Sequence, residues 1–327
     1  MSENAPTLSE VAAHAGVSLA TASRALNGSA RKVNPELQER VLASAAQLGY
    51  SPNVQAQAVA RGTSNVVALV VGDIADPYFA AIASGVVRVA DERGLVVTIT
   101  ATGPYAGEAT AARERAALTA LRGQRPRAVV LAGSRIAGAE TVIPGASDRA
   151  AVIGSGAPGL RTVGVDNRGG AAALARELHS LGYADIAVLA GPEELVTVRD
   201  RVDGFRSVLP DATVVHTDFS RDGGHRAMTE LLAGGARPEC VFAVSDVMAI
   251  GAMAALREAG IAPGADIGVA GFDDIPLVRD VTPALTSVAL PLADIGARAL
   301  ELALADEAPD ASAVAAEVRV RASTPRR

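Results

Sequence analysis

The sequence predicts an all-α helix-turn-helix unit followed by a two-lobed α/β domain with parallel sheets. Three observations carry this. The first fifty residues hold three short helical patterns separated by caps and turns. From Val66 onward, near-continuous apolar runs alternate with amphipathic stretches, as expected of parallel strands covered by helices on both faces. This alternation lasts about 260 residues, more than one small sheet needs, which predicts two similar lobes with a ligand cleft between them.

The elements follow in order. Thr7-Leu8-Ser9-Glu10 is a capping box: the Thr7 hydroxyl accepts from the Glu10 amide while the Glu10 carboxylate reaches back. A helix then runs to about His14, with Leu8, Val11 and Ala12 on its apolar face. Ala15-Gly16-Val17 is a tight turn. Ser18 caps a second helix that reaches about Leu26 and ends near Asn27-Gly28. Asn34-Pro35 is an N-cap followed by proline at the first helical position. The third helix carries Leu37, Val41, Ala45 and Leu48, and stops at Gly49. Residues 51–63 form a polar linker with a weak helical pattern, marginal as a free helix because it is short and contains Val54 and Val59. Beyond it, strands are expected at 66–71, 95–101, 128–132, 151–154, 186–190, 241–244 and 267–271, and helices at 79–92, 106–122, 169–181, 199–208, 223–233, 246–259 and 292–305. The expected domains are 1–50, a linker 51–63, and 64–327.

Charge narrows the function. The chain has 30 basic and 36 acidic residues and a net charge of −6, which argues against a protein that coats nucleic acid non-specifically. Residues 1–62 carry five basic and four acidic groups, a net of +1, so the remaining −7 lies on the α/β part. A small local contact surface is compatible with that division. The one cysteine, Cys240, lies in the run Cys240-Val241-Phe242-Ala243-Val244 and reads as a buried small hydrophobe. The N-terminus lacks a basic segment followed by an apolar core, and no apolar run approaches the ~18 residues of a membrane span. A cytoplasmic protein with no membrane partner is the expectation. No leucine-heptad helix precedes Arg326-Arg327, which argues against a tetramer built that way.

Enzymatic signals are weak. Gly154-Ser155-Gly156-Ala157-Pro158-Gly159 fits a dinucleotide-binding spacing, but Pro158 and the strand-like Arg161-Thr162-Val163-Gly164-Val165 argue for a turn instead of a helix start. His14, His179, His216 and His225 lie far apart without metal-ligand spacing. No activated nucleophile stands out. The expectation is a non-enzyme with no cofactor and no metal.

The segment TLSEVAAHAGVSLATASRALNG, followed by LGYSPN, resembles the DNA-binding headpiece of the lac-repressor (LacI/GalR) family. The family's pattern is present as Val17-Ser18, Thr21-Ala22-Ser23-Arg24 and Asn27. Further along, Val269-Ala270-Gly271-Phe272-Asp273-Asp274-Ile275-Pro276 and Pro283-Ala284-Leu285-Thr286-Ser287-Val288 continue the resemblance, which spans nearly the whole chain.

The resemblance implies that helix 18–26 enters the major groove of operator DNA. The base-reading positions then fall on Leu19, Ala20 and Arg24. Arg24 can donate bidentately to guanine O6 and N7; Leu19 and Ala20 can only contact thymine methyls or exclude wrong shapes. Thr7, Ser18, Thr21, Ser23, Asn27, Tyr50 and Asn53 become candidates for phosphate contacts, although Ser18 serves equally well as an N-cap. The linker resembles a hinge helix that orders when two protomers meet over the operator centre. Val59 stands where a leucine wedge is usual, and Gln57 where an arginine is common.

The second implied site is the cleft. Asp73-Ile74-Ala75-Asp76-Pro77-Tyr78-Phe79 resembles the family segment that lines an effector pocket. Arg201, Phe219, Ser245 and Asp273 match further effector-binding positions, beside Asp76, Tyr78 and Phe79. Carboxylate and guanidinium groups bridge neighbouring hydroxyls and rings cover apolar sugar faces, so the set suits a sugar or sugar phosphate. Taken singly, Tyr78 or Phe219 reads as core, and Arg201 can pair with Asp203 or Asp200. The sensor is expected to be periplasmic-binding-protein-like. The whole chain then reads as a homodimeric, sequence-specific transcriptional repressor of pseudo-palindromic operator DNA, controlled allosterically by a small effector. The alternative is a sugar-binding protein without a DNA role, which would not need residues 1–62.

Overall fold

The computed structural model describes residues 6–27, 33–51, 64–103, 108–133, 149–154, 161–306 and 313–327. The chain divides into two compact units, Met1–Ser64 and Asn65–Arg327.

In the first unit, α1 (Leu8–His14), α2 (Leu19–Asn27) and α3 (Pro35–Gln47) close on a small core. Val11, Ala12, Ala15, Ala22, Ala25, Val41 and Ala45 are buried there, with Leu8, Val17, Leu26, Val33, Leu48 and Tyr50 packed around them. Small alanines let three short helices approach closely. Glu10 Oε2 accepts from the Thr7 amide at 2.6 Å and Thr7 Oγ1 accepts from the Glu10 amide at 3.3 Å, so the expected capping box forms. Hydrogen bonding to Thr7 holds the exposed Glu10 carboxyl below its ordinary range. Gly16 makes the turn with φ +63°, a conformation that costs glycine nothing. Arg40 Nη2 donates to the Ala15 carbonyl at 2.9 Å and pins α3 to that turn.

The second unit contains two sheets. The first runs β2 (Val96–Ala101), β1 (Val66–Val71), β3 (Ala128–Ala132), β4 (Ala150–Ile153), β5 (Arg161–Val163), all parallel. Its helices are α4 (Pro77–Glu92) and α5 (Glu108–Gln124). The second runs β11 (Glu317–Arg319), β10 (Thr286–Ala289), β9 (Gly268–Asp273), β8 (Cys240–Ala243), β6 (Ile186–Ala190), β7 (Thr213–His216). Its strands are parallel except β11, which pairs antiparallel with β10. Its helices are α6 (Asn167–Ser180), α7 (Val196–Arg206), α8 (Arg221–Ala233) and α9 (Asp246–Glu258). Of the seven strands expected from the sequence, six are buried along their length, β1, β3, β4, β6, β8 and β9, while the seventh, β2, forms at the sheet edge and is largely exposed.

The last helix, α10 (Leu292–Leu304), returns to the first lobe and packs on α4, β3, β4 and β5. Its approach is backbone to backbone. A Cβ at Gly85 of α4 would run into the Ala293 carbonyl, and a Cβ at Gly296 of α10 into the Ile82 carbonyl. The chain crosses between lobes three times: from β5 into α6, from β10 into α10, and from α10 back to β11. Val165 and Val314 form a parallel bridge between the first and third crossings.

Candidate functional site

In the first unit, α2 divides its residues cleanly. Ala22 and Ala25 face the core. Leu19, with 52% of its surface exposed, stands with Ala20 and Arg24 on the outside. Positions i, i+1, i+4 and i+5 lie on one side of a helix, so Leu19, Ala20, Ser23 and Arg24 share a face. No acidic residue occupies the first turn of α2, which leaves the positive end of its dipole uncancelled. Ser18 Oγ accepts from the Thr21 amide at 3.1 Å and lies 2.8 Å from Thr21 Oγ1, so both hydroxyls serve the helix start. Thr7 is likewise engaged in its cap. Tyr50 is half-buried against the headpiece core, its amide donating to the Ala45 carbonyl at 2.8 Å. Asn27 is the last residue of α2. Asn53, Gln57 and Val59 lie outside the described residues, as do residues 155–160 of the glycine-rich turn.

In the second unit, both sheets reverse strand order: between β1 and β3 in the first lobe, and between β6 and β8 in the second. Ligands of open α/β sheets sit beyond the carboxyl ends of the strands at such reversals. The candidate residues collect there. The Phe79 ring lies over Gly72 and Gly133, the residues that follow β1 and β3. Tyr78 meets Phe79 edge to face, ring centroids 5.1 Å apart. Asp76 caps α4, its Oδ1 accepting from the Tyr78 amide at 2.9 Å. In the second lobe Phe219 lies over Gly191, just past β6. Ser245, just past β8, is buried and caps α9 by accepting from Met248.

Arg201 is the centre of the second lobe's site. It is 2% exposed. Its Nη2 donates to Asp273 Oδ1 at 2.8 Å, its Nη1 to the Val244 carbonyl at 2.6 Å, and its Nε to Asn167 Oδ1 at 2.9 Å. Its guanidinium also lies 3.8 Å from the centroid of the Phe272 ring. Of the two partners weighed from sequence, Asp203 bonds to Arg168 instead, at 2.7 Å. Successive strand residues point to opposite faces, yet Phe272 and Asp273 both reach one guanidinium. The reason is that Asp273 leaves the strand with φ +109°, followed by Asp274 at +54°. Such backbone costs about 1–3 kcal/mol per residue and persists only where the surroundings enforce it.

Electrostatics link the lobes. Burial pushes the Asp273 carboxyl up to about 6, against the pull of Arg201. Burial raises Asp76 as well, opposed by the Tyr78 amide, with Asp73 adding to the rise. The Tyr78 hydroxyl is raised by burial and by the charge of Asp273, with Arg201 opposing. Asp76 and Tyr78 of the first lobe therefore lie within electrostatic reach of the Arg201–Asp273 pair. Asp246, the first residue of α9, is raised well above the ordinary carboxyl range by burial and by Asp273. Asn167 and Phe272 were not singled out in the sequence, whereas Asp246 stood out there only as the neighbour of Ser245, at the pair where the family often has Asn-Asp. The Asp166-Asn167 start of α6 reads there as an ordinary cap, and Asp166 does accept from Gly169.

Among the described residues, no three His, Cys, Asp or Glu side chains gather as a metal would require, and no helix is long and apolar enough to cross a membrane. His216 Nδ1 bonds the Gly191 carbonyl and His225 the Glu258 carboxylate. Burial raises the Cys240 thiol.

Residues 7–53 match the family described as bacterial regulatory proteins, lacI family, and residues 175–324 match a periplasmic binding protein-like domain. The HTH-type transcriptional regulator GalS of Salmonella typhimurium is 35% identical over 312 residues, covering 91% of this chain and 89% of its own. Among solved structures, the lac repressor dimer bound to operator and an anti-inducer superposes with a TM-score of 0.83. It is 25% identical, over 98% of this chain and all of that one. A complex of the transcriptional regulator CelR with cellobiose gives a TM-score of 0.69 at 30% identity, over 97% of this chain and 99% of that one.

Proposed function

The chain belongs to the lacI family of bacterial regulatory proteins, and from that premise we propose that it is a homodimeric, cytoplasmic transcriptional repressor released from or loaded onto its operator by a sugar-like effector. The observation that carries the reading is the exposed face of α2, where Leu19, Ala20 and Arg24 stand clear of a closed headpiece core. Two copies of that helix, one per protomer, would enter successive major grooves of a pseudo-palindromic site. Thr7, Ser18, Thr21, Ser23, Asn27, Tyr50 and Asn53 would set the register through phosphates, and Val59 would wedge the minor groove at the centre.

The effector would occupy the space between the two strand-order reversals. A guanidinium already fixed by three acceptors is preorganised, so little ordering cost remains when a polyol hydroxyl arrives. Asp76, Ser245 and Asp273 supply acceptors, and Tyr78, Phe79 and Phe219 supply rings. The complex of CelR with cellobiose supports a saccharide as the ligand class. Lobe closure on the effector would change headpiece spacing and so operator affinity. The coupling is reciprocal: operator must change effector affinity by the same factor.

The test is a gel-shift titration of the full chain on palindromic DNA libraries at fixed salt, with and without sugars and sugar phosphates first screened by thermal shift. A salt-sensitive, sequence-dependent shift that one of these ligands alters is expected. No such shift in any ligand state overturns the reading.

A further inference from the structure

Asp246 has no part in the site as described, yet its carboxylate is fully committed. It is 1% exposed. Its Oδ2 accepts from the Ile275 amide at 2.8 Å, and its Oδ1 from the Ser287 hydroxyl at 2.6 Å. Ser287 Oγ in turn accepts from the Asp274 amide at 3.1 Å. The two backbone donors that follow Asp273 therefore both end on Asp246, one directly and one through Ser287. They are the donors of the very turn in which Asp273 and Asp274 hold positive φ. The carboxylate also fills the space beside β9: a Cβ at Gly271 would collide with Asp246 Oδ1. Ser287 lies on β10, the strand that leads into α10 and the first lobe. The same crossing reaches Asp273 itself, since the Leu290 amide donates to the Asp273 carbonyl at 3.4 Å.

We infer that Asp246 is a positioning residue: through the Ile275 amide and Ser287 it holds the left-handed turn that sets the Asp273 carboxylate against Arg201, and it ties that turn to the strand leading into the crossing between lobes. The alternative for two consecutive non-glycine residues at positive φ is relaxation to extended backbone, which would swing Asp273 away from the guanidinium. Asp246 blocks this by making the turn's amides pay a desolvation penalty if they leave. The functional meaning of this hold rests on reading Asp273 as an effector ligand.

Hydrogen-exchange mass spectrometry on the full chain tests it without any ligand. In Asp246→Ala the segment 271–277 is expected to exchange about tenfold faster or more, with α6 and β6 unchanged, because two buried amides lose their anchor. Asp246→Asn keeps an acceptor for Ile275 and a hydrogen-bonding group for Ser287, so it is expected to restore most of the protection. Ser287→Ala should expose the Asp274 amide and leave Ile275 protected. Unchanged exchange in Asp246→Ala overturns the inference, and so does acceleration spread evenly over the second lobe, which marks a merely structural residue. A parallel thermal-shift series with D-galactose, D-glucose and cellobiose addresses the underlying reading. A ligand that stabilises the wild type and Asp246→Asn but not Asp246→Ala supports both. If wild type and Asp273→Asn respond identically to a stabilising sugar, the effector role of Asp273 falls while the exchange result still decides the role of Asp246.

Discussion

Arg201 and Asp273 meet 2.8 Å apart with 3% and 6% of their side chains exposed, a charge pair taken almost wholly out of water. Removing one partner of such a pair strands the other. Arg201→Ala is therefore expected to lose about 3–5 kcal/mol of unfolding free energy as well as all response to effector. Urea denaturation reads the first and effector titration of operator binding the second. A loss below about 1 kcal/mol would show that water reaches Asp273 and that the site is open.

Acid should act on this pair with a definite sign. Asp273 titrates at about 6 in the folded protein and near 3.9 when unfolded. The native state then binds more protons than the unfolded state between those values. The contribution of Asp273 to stability is greatest at acid pH, falls as pH rises through 6, and is flat above. If the proposed effector is bound through this pair, its affinity is expected to run the other way, because a protonated Asp273 no longer holds Arg201 by charge. Asp273→Asn should remove its share of the stability slope between about pH 4 and 6, measured as the difference in denaturation midpoints from wild type. An identical slope in the variant would assign the titration to another group.

Arg24→Ala is expected to cost about 1–3 kcal/mol at a single base pair in each half-site and to relax the choice there. Binding to a set of operators mutated one position at a time would reveal it. Uniform weakening across the set would move Arg24 from the bases to the phosphates.

Gly296→Ala should destabilise the first lobe by about 1–3 kcal/mol or more, because its methyl would meet the Ile82 carbonyl rather than a side chain able to move. Gly85→Ala meets the Ala293 carbonyl and should behave the same way. Thermal unfolding checks both. Tolerance of either alanine would mean that α4 and α10 do not pack backbone to backbone.

Local chemistry made much of this fold legible. Thr7 and Glu10 announce a cap because both partners lie within four residues, and Gly16 announces a turn because its neighbours are helical. Strands buried on both faces read as apolar runs. Short edge strands do not: β7 is four residues with exposed ends, and β11 is three. Neither was expected, nor was β10, whose Thr286 and Ser287 are polar but buried. Helix α7 begins at Val196 rather than 199 because the turn Pro192–Leu195 launches it without a side-chain cap. Within the site, Arg201 and Asp273 were singled out from the resemblance. Their meeting was not, since 72 residues separate them and a positive φ at Asp273 brings them together. Asn167 stayed hidden because a helix start looks the same whether or not it serves a neighbour, and Asp246 was noticed only for its place beside Ser245, not for its bonds to the turn after Asp273.

The return of α10 to the first lobe sets the order in which the protein can be made. Strands β1 to β5 leave the ribosome before the second lobe exists, yet the helix that covers β3, β4 and β5 is Leu292–Leu304. Until it arrives, the side of α4 around Ile82 and Gly85 and the sheet face that α10 covers stay bare. The lobe synthesised first thus waits for a helix made only after most of the second lobe, and its nascent form carries bare apolar surface, open to aggregation, for that interval.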